Sequence, residues 1–295
     1  MDYFLGLLIN GILVGAIDSM VALGFVLIYK ASNVLNFAQG ELLMIGAYIC
    51  LELVFQLQIG IIGAFAITLI IMSIMALLIE RLVLRRMMGS PVMSVVMVTI
   101  GIGIILRSIV LMVWGPITLH FPTVVEDVPI DLGVVRVSVV YIYSFLVSLM
   151  FMIFFALFFR FSQTGLVMRA TASSQVAARS VGVPLHRVFA LAWVVAAVVS
   201  AAGGVITGNI AGLTPELSAY GVRVFPAVIL GGLDSIVGTT IAGVLIGVME
   251  ELGGGYLRDL TGLSGLGPVL PFIVLIVILW VRPQGLMGSK QVERL

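Results

Sequence analysis

Apolar runs of roughly bilayer-spanning length recur along the chain, at about 5–29, 37–57, 60–79, 92–114, 139–159, 187–207 and 266–281, with a less regular stretch at 222–250. Coiled into helices, such runs match the hydrocarbon thickness of a membrane. Membrane strands would alternate lipid-facing and polar side chains, and these runs do not. The pattern predicts an all-α, polytopic membrane protein with about eight transmembrane helices, occupying residues 1–295 as a single domain.

The stretch "VRVFPAVILGGLDSIVGTTIAGVLIGVMEEL" breaks the pattern, because Gly231, Gly232 and Asp234 interrupt it. The apolar piece before the break covers only ~16 Å as a helix, too short for ~30 Å of hydrocarbon. Broken or re-entrant helices are tolerated where protein or a water-filled cavity shields the freed backbone groups. Residues 222–250 are therefore expected to be a broken or re-entrant segment beside a translocation pathway.

Composition agrees with a lipid solvent: 61% of residues are hydrophobic and 10% charged. The net charge of +1 hides an asymmetry. Basic residues gather at Lys30, at Arg81, Arg85 and Arg86, at Arg160, Arg169, Arg179 and Arg187, and at Arg282, Lys290 and Arg294. The first three groups follow the first, third and fifth spans, which places those loops in the cytoplasm and the N-terminus outside. The first span has no basic residue before Lys30 and reads as retained rather than as a cleaved signal. "HFPTVVEDVPIDLGVVRV" then falls outside as a small extended excursion carrying Glu126, Asp127 and Asp131. A re-entrant 222–250 keeps the basic tail inside.

Candidate chemistry is mostly absent. There is no G-x-x-x-x-G-K-[ST] loop for nucleotide binding. His120 and His186 lack neighbouring ligand residues, the lone Cys50 rules out an intramolecular disulfide, and no G-x-S-x-G context joins Ser, His and Asp. No metal or cofactor is expected on this chain, and it is not expected to be an enzyme. Polar residues inside spans are costly and mark candidate pathways. Asp18, in "GAIDSMVALG", is the one acid that lies deep in an unbroken span. With Gly231, Gly232 and Asp234 it makes the candidate pathway set. In "SNVLNFAQGELL", Asn36 is expected to cap a helix start, Gln39 to reach back to it, and Glu41 to face the positive helix end. Arg107 is expected to snorkel to the membrane surface. "TIGIG", "AAGG" and "GTTIAGVLIG" put small residues at close-packing intervals, including Gly243 and Gly247.

One polar segment stands apart, "MRATASSQVAARSVGVPLHRV" at 168–188. Thr171 to Val181 reads as a short helix stopped by Gly182 and Pro184. Ala172, Val176, Ala177 and Ser180 would give it a low-relief face fit to lie in a groove of another protein.

"VAARSVG" resembles the E-A-A-x-x-x-G core of the coupling loop in ABC-importer permeases. Ala177, Ala178 and Gly182 match, and Val176 replaces the frequent Glu. With "NFAQGELLMIGAY" and "FPAVILGGLDSIVGTTIAGVLIGVMEEL", in this order over nearly the full length, the chain resembles the LivH-type permeases of branched-chain amino-acid ABC importers. The resemblance implies a multi-pass subunit of the bacterial inner membrane, N-terminus periplasmic and C-terminus cytoplasmic. Its implied partners are a second related permease, two ATP-binding subunits that use the ATP, and a periplasmic substrate-binding protein. It also implies an ATPase-coupling loop at about 160–187, carrying Arg169, Ala172, Val176, Ala177, Ala178 and Gly182. Substrate choice would rest mainly with the binding protein, so permeation of urea, amides or other amino acids is the alternative within the class. An ion-coupled secondary transporter is the alternative outside it. That rival should show an internal repeat and several buried carboxylates.

The charge asymmetry generates a topological prediction. In sealed cells, an impermeant thiol reagent applied from outside should label a cysteine placed at Asp127 and spare one at Gln291. Labelling at Gln291 would overturn both the tail placement and the re-entrant segment.

Overall fold

The computed structural model of the chain describes residues 2–122, 130–131, 136–262, 265–282 and 284–288. Its helices are α1 (Asp2–Ser32), α2 (Gln39–Leu57), α3 (Ile61–Leu82), α4 (Val92–Val113), α5 (Val139–Phe161), α6 (Gln163–Ser173), α7 (Gln175–Ser180), α8 (Leu185–Ala211), α9 (Tyr220–Arg223), α10 (Phe225–Gly231), α11 (Ile236–Thr261) and α12 (Leu270–Val281). Among the described residues, seven helices are long and apolar enough to cross a membrane, and a shorter apolar stretch, Gly267–Val281, follows them. The all-α polytopic expectation holds. The excursion between α4 and α5 carries a minimal antiparallel ribbon, β1 (Ile130–Asp131) against β2 (Arg136–Val137). Glu126 and Asp127, like Gln291 and the rest of the basic tail beyond Gly288, lie outside the described residues.

α3 and α4 bury one face and leave apolar side chains exposed on the others. On α3 the buried positions are Ala64, Thr68, Met72, Ala76 and Glu80, a stripe four residues apart that forms one face of a helix. Its other faces expose Ile62, Ile70 and Ile74, as expected of side chains that meet lipid. α4 repeats the scheme, burying Thr99, Ile102, Gly103, Leu106 and Val110.

The chain divides into two compact units that alternate along the sequence, one of residues 1–26, 125–152 and 223–295, the other of 27–124 and 153–222. In the first, α1 and α11 run antiparallel at backbone contact. A Cβ on Gly15 would meet the Val244 Cα at 2.7 Å, one on Gly247 would overlap the Gly15 Cα, and one on Gly243 would overlap Ser19. The G-x-x-x-G interval thus marks a real helix contact. The Ser19 hydroxyl lies 2.6 Å from the Gly15 carbonyl oxygen on its own helix and 2.9 Å from that of Thr240 on α11.

The predicted interruption at Gly231, Gly232 and Asp234 is present as the turn between α10 and α11. α10 ends at Gly232 with φ +101°, a conformation that favours glycine. The freed ends of the break are satisfied locally. Leu286 donates its N–H to the Leu230 carbonyl at 2.7 Å, and the Ser235 side chain caps α11 by accepting from Gly238 N at 3.0 Å. A Cβ on Gly231 would overlap the Thr239 backbone, and one on Gly232 would meet Gly288 N at 2.5 Å.

These contacts predict which glycines matter. Gly231→Leu and Gly247→Leu should each lower the yield of monodisperse protein in mild detergent several-fold. Gly101→Leu, where nothing lies within 4 Å of an added Cβ, should not. Equal yields for all three, by size-exclusion chromatography, would refute the close packing.

Candidate functional site

The polar centre lies in the second unit, where α2 begins. Residues 33–38 are not helical: α1 ends at Asn33, in the left-handed region at φ 56°, and the chain runs without regular structure to Gln39. The Gln39 amide donates to the Ser200 hydroxyl, and Ser200 is the sixteenth residue of the 27-residue α8. α2 therefore starts beside the middle of another span. It then packs against α8 at backbone distance: a Cβ on Gly204 would overlap the Leu43 carbonyl, and one on Gly46 would meet the Ala201 Cα at 2.7 Å.

Non-helical backbone buried in a span must find internal partners. Here Val34 N–H donates to Ser32 Oγ at 3.2 Å, Phe37 N–H to Thr99 Oγ1 at 3.2 Å, and Ala38 N–H to Asn36 Oδ1 at 3.0 Å. The Asn36 amide in turn donates to Gln39 Oε1 at 3.3 Å. Asn36, Gln39, Thr99 and Ser200 are at most 1% exposed. This corrects the capping expectation. The N-cap residue is Ala38, which makes no side-chain bond. Asn36 instead closes a turn on Ala38, and Gln39 meets the Asn36 side chain through its Oε1 while its amide nitrogen reaches across to α8. The cue was the density of amide side chains in an otherwise apolar run, which a local cap seemed to account for.

Next to this polar start is a cavity of about 440 Å³. Asn36 and Thr99 line it in common with Asn33, Glu80 and Trp193, and Ser174 and Val176 of the singled-out polar segment line it as well. That segment is two helices, not the single one expected over 171–181. Ser174 is extended (φ −159°, ψ 108°), ends α6, and caps α7 by accepting from Ala177 N at 3.1 Å. The stop at Gly182 is as expected: its φ is +84°, and Val183 N–H reaches back to the Ala178 carbonyl at 3.0 Å, the Schellman pattern. On α7, Ala178 is buried while Val176, Ala177, Arg179 and Ser180 are exposed, and Ala172 on α6 is half-buried. Arg169 donates to the Arg160 carbonyl at 3.4 Å, tying α6 to the end of α5.

In the first unit, Asp18 is buried on α1 beside Ser19, whereas Gly231 and Gly232 meet backbone of α11 and of residues 287–288, with Asp234 part-buried in the same turn. Two further acids are buried. Glu80, 1% exposed, accepts from Arg85 at 2.9 and 3.2 Å, and Glu250, 6% exposed, pairs with Arg223 at 2.5 Å. Glu80 lies two residues before the end of α3, and Glu250 lies in the interrupted stretch 222–250. Arg107, expected to snorkel, lies 3.8 Å from Glu216. Among the described residues no group of three or more His, Cys, Asp or Glu is placed to hold a metal.

A multi-span helical protein whose second helix starts in mid-span, on a buried polar cluster beside a cavity, has the makings of a solute permease. The family model described as "Branched-chain amino acid transport system / permease component" matches residues 7–279, and the chain belongs to that family. It is 29% identical to the high-affinity branched-chain amino acid transport system permease protein LivH of Salmonella typhimurium, over 99% of this chain and 98% of that one. To the permease protein BraD of Pseudomonas aeruginosa it is 28% identical over the same shares. To the probable LivH of Methanocaldococcus jannaschii it is 26% identical over 94% and 90%. A looser likeness, TM-score 0.48 with 15% identity over 96% of this chain and 93% of the other, is to a chain of PsaBC from Streptococcus pneumoniae in complex with Fab.

The cluster makes a prediction about stability. Gln39→Leu removes the bond to α8 and leaves the Asn36 amide without its acceptor, a cost of roughly 1–3 kcal/mol for buried groups. Thermal unfolding of the detergent-purified protein should shift down accordingly. Thr207→Ala, which loses bonds only to its own helix at the Gly203 and Gly204 carbonyls, should shift it much less. A Gln39→Leu variant as stable as the parent would mean that the polar start does not hold α2 in place.

Proposed function

We propose that this chain imports branched-chain amino acids as one of two permease subunits in an ATP-driven importer, with hydrolysis carried out by partner subunits. In this reading the permease pairs with a related permease, receives leucine, isoleucine or valine from a periplasmic binding protein, and meets two ATP-binding subunits on the cytoplasmic side. The chain is itself non-catalytic. The family membership and the printed names of its relatives support the cargo and the subunit type, and the charge distribution supports placing 160–187 in the cytoplasm.

The observation that carries the coupling role is the form of α7. It is a one-and-a-half-turn helix anchored by buried Ala178, with Val176 and Val181 each 79% exposed. Two such apolar side chains left open on a short polar helix suit a protein groove. Ala177 and Ala172 supply the low relief, and Arg169 and Gly182 fix the two ends of the loop. A push on α7 reaches α8 directly, since only Val181 to Pro184 separate them. α8 carries Ser200 and therefore the start of α2, so docking and pathway share one rigid element. Asp18 and the Gly231, Gly232 and Asp234 turn are assigned to the pathway wall of the other unit.

The test is Ala177→Asp. Position 177 is the third residue of α7, where an acid favours the helix N-terminus, so the variant should keep its helix. In an ATPase groove the same carboxylate would be buried without a partner, at a cost on the order of several kcal/mol. Co-purification of ATP-binding subunits and substrate-stimulated ATP hydrolysis should be lost, with membrane insertion retained. Arg179→Gln, on the open face, should keep both. Wild-type assembly by Ala177→Asp would reduce the segment to a connector.

A further inference from the structure

We propose that Arg107, Glu216 and Glu41, together with the Tyr48 hydroxyl, form a station for the zwitterion of an α-amino acid, the guanidinium taking its carboxylate and the two acids its ammonium group. The inference deepens the reading above and rests on it for the cargo.

Three separate segments of one unit converge here: Glu41 and Tyr48 from α2, Arg107 from α4, and Glu216 from the turn before α9. A Cβ on Gly103, one turn before Arg107, would lie 3.1 Å from the Glu41 carboxylate, so this acid packs against the face of α4 that carries the arginine. Arg107 acts electrostatically on Glu41, and Glu216 on Tyr48. The Tyr48 side chain is fully buried and its hydroxyl has no hydrogen-bond partner among the described residues, which is costly unless something periodically supplies one.

Comparison with the other ion pairs separates this group from structural ones. Arg85–Glu80 and Arg223–Glu250 are short, and in each the acid is almost completely buried. Arg107 and Glu216 stand 3.8 Å apart, with side chains 45% and 74% exposed. At that distance and exposure the pair contributes about 0–1 kcal/mol to stability. Both partners are left with unused hydrogen-bonding capacity and open access. In a chain this poor in charge, an accessible guanidinium set against two carboxylates matches a solute bearing both signs. Urea or a neutral amide offers no counter-charge to either pole. Trp114, seven residues beyond Arg107 and so ~10.5 Å along the helix axis, meets the Tyr48 ring in a tilted contact, centroids 5.2 Å apart and planes 44° from parallel, giving an apolar wall for the side chain.

The test uses the complete importer in proteoliposomes with its binding protein and radiolabelled leucine. Arg107→Gln and Glu216→Gln should each cut uptake at least tenfold while leaving subunit co-purification at the parent level. The exchanged pair, Arg107→Glu with Glu216→Arg, separates the two roles. A purely structural ion pair would be restored by the exchange, whereas the station, now with its poles inverted, should stay defective. Parent-level leucine uptake by either single variant, or recovery in the exchanged pair, overturns the station alone. A parent complex that carries no zwitterionic amino acid overturns the cargo reading and the station with it.

Discussion

Backbone polar groups cannot be left bare inside a span, and the start of α2 is where this chain meets that constraint most severely. Ending α1 at Asn33 and beginning α2 beside Ser200 leaves residues 34–38 with amides that no helix satisfies. Ser32, Asn36 and, from α4, Thr99 accept from the Val34, Ala38 and Phe37 amides, and Gln39 holds the Asn36 side chain in place. Had any been apolar, the helix would be favoured to extend through the bend and close the adjoining cavity. The cavity exists because the helix is interrupted, and the interruption is tolerated because these side chains are there.

The same economy explains where the glycines are. In lipid, apolar side chains gain little by leaving one apolar surrounding for another, so helices associate through close packing and polar contacts. Gly204 lets α8 approach the Leu43 carbonyl, and Gly40 does the same for the turn at Ser218. Gly15, Gly243 and Gly247 bring α1 and α11 to backbone contact, where the Ser19 hydroxyl reaches Thr240. Small residues and buried hydroxyls therefore occur together: close approach makes a short side-chain bond to the neighbouring backbone attainable.

Much of this was legible in the sequence, because span length, the break at Gly231 and Gly232, and the stop at Gly182 are local properties that periodicity and residue type report directly. What escaped was non-local. Asn36 and Gln39 fit a capping motif three residues apart, and nothing nearby in the chain reveals that Gln39 bonds Ser200, 161 residues away. The division of 171–181 at Ser174 escaped for the opposite reason: it is a single extended residue within a run of good helix formers, set by the capping bond to Ala177 rather than by a breaker. The pairing of Glu250 with Arg223, 27 residues away, is likewise not visible in the local sequence.

The magnitude of the central bond bears on how such a structure could move. A neutral side-chain hydrogen bond contributes about 0.5–1.5 kcal/mol net, within reach of a conformational equilibrium that ATP binding and hydrolysis in partner subunits could bias. A buried ion pair in place of Gln39 and Ser200 would hold α2 to α8 more firmly, since separating it leaves uncompensated charge costing roughly 3–5 kcal/mol. In the coupling proposed above, the uncharged amides and hydroxyls between α2 and α8 are bonds that can be remade in each cycle, whereas the short pairs Arg85–Glu80 and Arg223–Glu250 hold. Under the proposed coupling, α8 is the lever between them: its first turn follows the docking helix, and its middle carries the bond that positions α2.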